Sequence, residues 1–215
     1  MMRIIQRAAL FLAAVLVIPG GALAYEQPKY QIDSASESCE IRRYDSYAVV
    51  ETEVAGDFES ARDAAFRKLF DYISGNNQQQ RKIEMTVPVV SREAGQKIEM
   101  TVPVVTQPAD GSDRHLMQFV LPSRFTAESA PRPVDPDVRL RQIDARWVAA
   151  RTYSGRSSES GYRHNEAELL RLLQSAGVVV TGAPSFAVYN GPFTPWFMRR
   201  NEVIVPIAAR SALVP

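Results

Sequence analysis

The sequence predicts an α+β fold in which two helices pack against a curved antiparallel sheet or barrel. Two amphipathic helical segments are separated by short β-rich runs, and the order strand pair, helix, strand pair occurs twice along the chain. Such a repeat indicates two pseudo-equivalent halves that share one core. The chain has 215 residues, of which 46% are hydrophobic and 23% charged, and this composition is sufficient for one globular core.

The first half of the repeat contains the clearest helix signal. Residues 39–54 predict two strands that break near Asp45. Asp57 is a suitable N-cap, and apolar residues then recur at spacings of three and four until Gly75, which predicts a helix that ends at glycine. Three further β-rich runs follow, at residues 82–90, 97–105 and 115–121.

The second half repeats this order after a proline-rich surface connection over residues 122–136. A helix is predicted within residues 158–176, and Gly177 ends it. The predicted strands of this half lie at residues 138–143, 145–153, 185–189 and 202–207.

The nonapeptide KIEMTVPVV occurs twice, at residues 82–90 and 97–105. Alternation within each copy predicts one apolar face, with the glutamate facing solvent. In the second copy this face comprises Ile98, Met100, Val102 and Val104. Pro88 and Pro103 cannot donate a ladder hydrogen bond, so each is expected at an edge, an end or a bulge. The apolar faces either build core or use their methionines to form the wall of a ligand pocket.

Residues 1–24 have the pattern of a secretory signal peptide. Arg3 and Arg7 precede an apolar run over residues 8–18, and Ala22-Leu23-Ala24 supplies small residues for cleavage. The apolar run is too short to cross a hydrocarbon layer of about 30 Å. We therefore expect cleavage near Ala24, a periplasmic or secreted location, and one mature domain over residues 25–215 without a transmembrane helix.

Charge and residue counts exclude several classes of function. The 25 basic and 24 acidic residues give a net charge of +1, which provides no electrostatic attraction for nucleic acid. The single cysteine and two histidines exclude an internal disulfide, a thiolate cluster and a three-histidine metal site. No nucleophile-elbow, zinc-protease, Walker or dinucleotide motif is present, so the sequence predicts no enzyme.

Three segments in order resemble the SOUL haem-binding family, from about Tyr30 to Ile207: CEIRRYDSYAVVETEVAGDFESARDAAFRKLFDYISGNN, the doubled KIEMTVPVV, and YNGPFTPWFMRRNEVIV. The resemblance implies a distorted antiparallel β-barrel flanked by two helices. It also implies haem or another tetrapyrrole, bound non-covalently in a shallow apolar pocket between the first helix and the loop at residues 190–200. Some members carry a histidine before the tyrosine of the first motif as an iron ligand. Arg43 occupies that position here, so that route of ligation is absent.

Haem binding requires an apolar slot, donors for two propionates and, optionally, an iron ligand. Candidates on the first helix are Arg62, Phe66, Leu69, Phe70 and Ile73. Candidates near the C-terminus are Tyr189, Phe193, Trp196, Phe197, Met198, Arg199 and Arg200. The arginines would bind propionates, although Arg62 could instead extend to water and the aromatic cluster could instead cover the core. His115 and Cys39 are the candidate iron ligands, with a core histidine and an inert strand cysteine as the alternatives.

These features together predict an exported protein that sequesters or carries an amphipathic ring ligand such as haem. One alternative is a small hydrolase or haem-modifying enzyme that uses Glu84 or Glu99, since the duplication places two carboxylates at equivalent positions. A second alternative is an envelope interaction module that presents the pocket face to a protein or lipid.

Overall fold

The structure, a computed structural model, describes residues 26–78, 98–109, 114–191 and 193–209. In chain order the elements are β1 (Tyr30–Ala35), β2 (Glu40–Tyr44), β3 (Tyr47–Ala55), α1 (Phe58–Ile73), β4 (Asn77–Gln78), β5 (Val104–Ala109), β6 (Arg114–Val120), β7 (Arg132–Pro133), β8 (Val138–Ile143), β9 (Arg146–Tyr153), α2 (Glu159–Ser175), β10 (Ser185–Val188) and β11 (Asn201–Pro206). A single 3-10 turn, Trp196–Met198, lies between β10 and β11.

Nine strands form one antiparallel sheet in the order β1-β2-β9-β11-β10-β5-β6-β3-β8, and β4 pairs separately with β7. Without β1, this order is symmetric about the boundary between β10 and β5. Strands β10, β11, β9 and β2 on one side correspond to β5, β6, β3 and β8 on the other. Each half contributes one strand to the other, because β2 lies beside β9 and β8 lies beside β3. The α+β class and the pseudo-twofold repeat of strand pair, helix, strand pair are therefore confirmed, with the sheet curled into a half-barrel.

The two helices begin and end at the predicted residues. The Asp57 carboxylate accepts hydrogen bonds from the backbone N–H groups of Glu59 and Ser60 at 3.2 and 3.1 Å, and this caps the first turn of α1. Gly75 and Gly177 follow the two helices with φ of +116° and +66°, a region that favours glycine. Neither helix is long and apolar enough to span a membrane, and none other occurs in the described ranges.

The two faces of the sheet bury different side chains. Val203 and Val205 on β11 pack with Leu169 of α2, and the equivalent face of β3 and β6 packs with α1. Glu202 and Ile204 alternate with these valines and therefore point away from the helices. We call this second side the inner face. Its apolar members are Tyr44, Val102, Val105, Val148, Ala150, Ala187, Tyr189 and Ile204.

Strand β1 is not among the predicted strands, the first of which begins at residue 39. The segment Tyr30–Ala35 instead pairs with β2 along the edge of the sheet. Ile32 is 53% exposed there, and the pairing register shifts between Ile32 and Ser34. An exposed edge strand does not require the apolar alternation by which a buried strand is recognised, so the sequence carried no signal for it.

In the second nonapeptide, Ile98, Thr101 and Val102 are buried although they precede the first residue of a strand. Strand β5 begins only at Val104, whereas the prediction extended it from residue 97. The Thr101 side chain is buried and donates a hydrogen bond to the Val120 carbonyl, so the predicted alternation is wrong at this residue. Pro103 lies directly before the first residue of β5, as the prediction of a strand end requires. Glu99 faces solvent, as predicted. The first nonapeptide, with Glu84 and Pro88, and residues 1–25 lie outside the described residues.

Candidate functional site

An open cleft of about 550 Å³ lies where α1, the connection over residues 154–158 and the loop over residues 193–199 meet. Its volume lies in the range of small-molecule sites. The residues that line it include Glu59, Arg62, Arg156, Ser157, Phe193, Trp196 and Arg199. A second cavity of about 260 Å³ lies between the segment before β1 and the loop after β6, and it contains none of the predicted site residues.

The loop over residues 193–199 presents aromatic side chains to solvent. Phe193 is 98% exposed and Trp196 is 54% exposed, although both are large apolar residues. Two internal hydrogen bonds stabilise the loop. The Met198 N–H donates to the Pro195 carbonyl at 2.9 Å, and Arg199 Nε donates to the Thr194 carbonyl at 2.8 Å. These hydrogen bonds hold the loop so that the Phe193 and Trp196 rings line the cleft and stay exposed.

Asn201, at the start of β11, joins the walls of the cleft. Its side chain is fully buried, donates to the Gly155 carbonyl at 3.1 Å and accepts from the Ser157 hydroxyl at 2.9 Å. The Ser157 carbonyl in turn accepts from Arg62 Nη1 at 2.7 Å. The Gly155 N–H donates to the Trp196 carbonyl at 3.2 Å. One chain of hydrogen bonds therefore links α1, the connection over residues 154–158 and the aromatic loop.

Replacing Asn201 by alanine should lower the free energy of unfolding by about 1–3 kcal/mol, because it removes two hydrogen bonds, to the half-buried Gly155 carbonyl and Ser157 hydroxyl, each worth about 0.5–1.5 kcal/mol. We also expect the cleft to loosen, which acrylamide quenching of Trp196 can measure in a Trp147→Phe background. Asn165→Ala is the matched control, since Asn165 is also a buried asparagine whose amide donates to a backbone carbonyl, that of Gly161. Equal destabilisation with equal quenching in the two variants would contradict a positioning role for Asn201.

The predicted arginines are mostly engaged within the protein. Arg62 is 26% exposed and pairs with Glu59 at 2.6 Å. Arg200 pairs with the buried Glu202 carboxylate at 2.6 Å, and its guanidinium lies 4.3 Å from the centre of the Tyr189 ring. Because these contacts with Glu202 and Tyr189 already hold its guanidinium, and Arg200 does not line the cleft, we remove Arg200 from the candidate site as a ligand-binding cation.

Three predicted apolar residues lie in the interior rather than at the cleft. Leu69 and Ile73 are 0% and 4% exposed and pack in the core under α1. Tyr189 is buried in the inner face, where its hydroxyl donates to Glu202 at 2.6 Å. A ligand at the surface of α1 cannot contact any of these side chains without unpacking the core, so the structure removes them from the candidate site.

Other predicted residues form an exposed apolar rim beside the cleft. Phe66 and Phe70 are 38% and 45% exposed, and their rings stack with centroids 5.9 Å apart. They follow Arg62 at four-residue intervals and therefore extend along the same side of α1. Phe197 and Met198 are 60% and 64% exposed on the 3-10 turn, next to Trp196 but outside the lining of the cleft.

The candidate iron ligands do not line the cleft. The half-buried His115 ring packs edge-on against Phe58, with centroids 5.8 Å apart. Cys39 is buried in the core under α2, and burial raises the pKa of its thiol. Within the described ranges no three His, Cys, Asp or Glu side chains cluster closely enough to hold a metal ion. Cys39 therefore lies directly before β2 and His115 on β6, both away from the cleft.

Two residues of this site were not among the predicted ones. Asn201 lies in the third segment that resembles the family and precedes a β-rich run, but only the folded chain shows that its amide faces the connection. Arg156 lies in the polar stretch SGRSSES, which predicted no more than a turn before a helix. The structure places Arg156 in the wall of the cleft, exposed to solvent.

Comparisons with known proteins indicate the family of the chain. The profile of the SOUL heme-binding protein family matches residues 25–95 and 90–206. Heme-binding protein 2 of Homo sapiens is 29% identical over 177 residues, covering 77% of this chain and 80% of that protein. Heme-binding protein 1 of Xenopus tropicalis is 28% identical over 168 residues, covering 76% and 80%.

Solved structures share the fold at low identity. The C-terminal domain of EcmrR aligns with a TM-score of 0.59 and 11% identity, covering 83% of this chain and 98% of that one. A hydrolase from Listeria innocua aligns with a TM-score of 0.50 and 13% identity, covering 82% and 94%. These likenesses concern the fold alone, whereas the sequence profile spans most of the chain in both halves of the repeat. The chain therefore belongs to the SOUL heme-binding family.

Proposed function

We propose that this protein is an exported, non-enzymatic carrier or sequestering protein for haem or a related tetrapyrrole, bound non-covalently in the cleft. The observation that carries the proposal is the pair of exposed aromatic rings, Phe193 and Trp196, beside arginines in a cleft of about 550 Å³. Family membership indicates the class of ligand. Export rests on the signal-peptide pattern of residues 1–24.

The residues of the cleft fit a flat apolar ring with anionic arms. Exposed aromatic side chains gain most by stacking on such a ring, because stacking removes apolar surface of both partners from water. Phe193 and Trp196 would contact the ring from the loop, and Phe66 and Phe70 would extend the apolar surface along α1. Arginine donors at the cleft would bind carboxylate arms.

Iron ligation is not required by this arrangement. Among the described residues, His115 packs on Phe58 and Cys39 lies in the core, so neither faces the cleft. Binding would then rest on apolar packing and on the carboxylate arms. Metal-free protoporphyrin should therefore bind about as tightly as haemin.

The decisive experiment is a titration of the chain from residue 25 with haemin and with protoporphyrin IX, followed by Soret absorbance. We expect saturable binding of both rings at about one ring per chain. The double variant Phe193→Ser, Trp196→Ser should weaken binding of both by about tenfold or more, since each lost stacking contact contributes about 0.5–1.5 kcal/mol.

The control for this titration is Ile32→Ser, which removes a large exposed apolar residue from β1. Ile32→Ser should leave both affinities unchanged. Absence of saturable binding, or equal affinity of the double variant and the wild type, would overturn the proposal.

The hydrolase alternative receives no support from the described residues. The Glu99 side chain is 80% exposed and pairs with Arg124 at 3.1 Å, the ordinary environment of a surface carboxylate. A catalytic acid needs a perturbed environment within a cleft, and Glu99 lines no part of this one. The similarity to a hydrolase concerns the fold only.

A further inference from the structure

We infer that the cleft selects ring ligands that carry a free carboxylate, and that Arg156 is the residue that binds it. This inference rests on the proposed function, because it concerns the same cleft. It assigns a specific role to a residue that neither the sequence motifs nor the family comparison singled out. It also narrows the ligand from tetrapyrroles in general to those with at least one ionised arm.

The first step is that the protein itself holds the other two arginines of the cleft. Arg199 Nε donates to the Thr194 carbonyl at 2.8 Å. The Arg62 guanidinium pairs with Glu59 at 2.6 Å and also donates to the Ser157 carbonyl at 2.7 Å. These contacts hold its donors against the protein and compensate its charge. A ligand carboxylate at Arg62 would have to displace Glu59 or approach it closely, and both processes are unfavourable.

The second step is that Arg156 has no such partner. It lines the cleft, is exposed to solvent, and makes no hydrogen bond or ion pair with any described residue. A solvated guanidinium presents five donors in a fork that matches a carboxylate. Arg156 is therefore the cation of the cleft that can form a new bidentate pair at the lowest cost.

The third step is that the backbone of Arg156 is fixed although its side chain is not. Gly155 and Ser157, its two neighbours, are both hydrogen-bonded to the fully buried Asn201. Gly155 is further tied to Trp196 through its N–H, which sets the distance between Arg156 and the aromatic loop. Anchoring of this kind reduces the entropy lost when the guanidinium binds a ligand.

The fourth step is the chemistry that these positions recognise together. Phe193 and Trp196 offer apolar surface for a flat ring, while Arg156 offers a cation on another lining segment of the same cleft. Glu59, 56% exposed on α1, disfavours a second carboxylate on that side. A flat ring with one ionised arm satisfies the cleft, so a monoester should bind nearly as well as the diacid and the diester should not.

The test compares protoporphyrin IX with its monomethyl and dimethyl esters in fluorescence titrations of the chain from residue 25. We expect the wild type to bind the diacid and the monoester at least tenfold more tightly than the diester. Arg156→Gln should weaken the acids by about tenfold and leave the diester unchanged, so the preference disappears. Arg156→Lys should retain part of it, because an ammonium keeps the charge without the fork.

Two further variants make the outcome specific. Arg132→Gln removes an exposed arginine of β7 that also makes no ion pair with the described residues, and it should preserve the preference. If Arg62→Gln abolishes the preference and Arg156→Gln does not, the assignment to Arg156 is wrong. If the wild type binds diacid and diester equally, carboxylate selection is overturned while ring binding stands. If none of the three porphyrins binds, the proposed function fails and this inference fails with it.

Discussion

Replacing Glu202 by alanine should lower the free energy of unfolding by about 3–5 kcal/mol, because the substitution removes the buried carboxylate of Arg42 and leaves that arginine only the partly exposed Glu40 as an ion-pair partner. Glu202 is 0% exposed and Arg42 is 1% exposed on the inner face of the sheet. Arg42 Nη1 and Nη2 donate to the two carboxylate oxygens of Glu202 at 2.9 Å each. Urea unfolding of both proteins, followed by circular dichroism, measures the difference.

The control for Glu202→Ala is the double variant Arg42→Met, Glu202→Leu. It removes both buried charges and keeps most of the side-chain volume, and such replacements are often neutral or stabilising. We therefore expect the double variant to recover part of the lost stability, but not all of it, because Arg200 and Tyr189 also lose their hydrogen bonds to Glu202. A loss below about 1 kcal/mol in Glu202→Ala, or a double variant that is less stable still, would contradict a coupled buried pair.

The same pair makes stability depend on pH in a defined window. Burial alone would raise the pKa of Glu202, but the hydrogen bonds and charge of Arg42, with Tyr189 and Arg200, outweigh burial and lower the pKa from 4.5 to about 2. A carboxyl group with a lowered folded-state pKa stabilises the fold above its unfolded pKa and loses that contribution as pH falls. The unfolding free energy of the wild type should therefore decrease between pH 4.5 and about pH 2, and that of Glu202→Gln should decrease less.

The helices could be predicted because their signals are local. Asp57 caps α1 through its own carboxylate, and Gly75 accepts a positive φ that other residues avoid. The pseudo-twofold repeat could also be predicted from local signals, because the order strand pair, helix, strand pair occurs twice along the chain. Strand β1 depends instead on pairing with β2 at an exposed edge, and no pattern within its six residues specifies a partner.

The site could be predicted only in part, because apolar periodicity does not separate core from surface in a broad stripe. Helix α1 carries apolar residues on more than half of its circumference, yet Leu69 faces the core while Phe66 and Phe70 face solvent. The aromatic loop was found because its residues are contiguous in sequence. Asn201 and Arg156 belong to the site only through contacts between segments that are far apart in the chain.

Replacing Ile98 by alanine should lower the free energy of unfolding by about 2–5 kcal/mol, the usual cost of truncating a buried isoleucine. Ile98 is 2% exposed in the core under α1, and its N–H donates to the Ile73 carbonyl at 2.7 Å. Val102 of the same nonapeptide donates its N–H to the Glu26 carbonyl at 3.0 Å. The second copy of KIEMTVPVV therefore occupies this place in the core.

The chain supplies its own matched control in Ile83, which holds the same position in the first copy. Local preferences cannot decide between identical nonapeptides, so the choice of copy depends on tertiary contacts and on the lengths of the flanking connections. Because the second copy holds this place, Ile83→Ala leaves these contacts intact and should lower the unfolding free energy by less than Ile98→Ala does. Small and equal losses in both variants would instead mean that either copy can fill the core. Only Ile83→Ala, Ile98→Ala together would then show the full cost, because no intact copy would remain to take the place of the other.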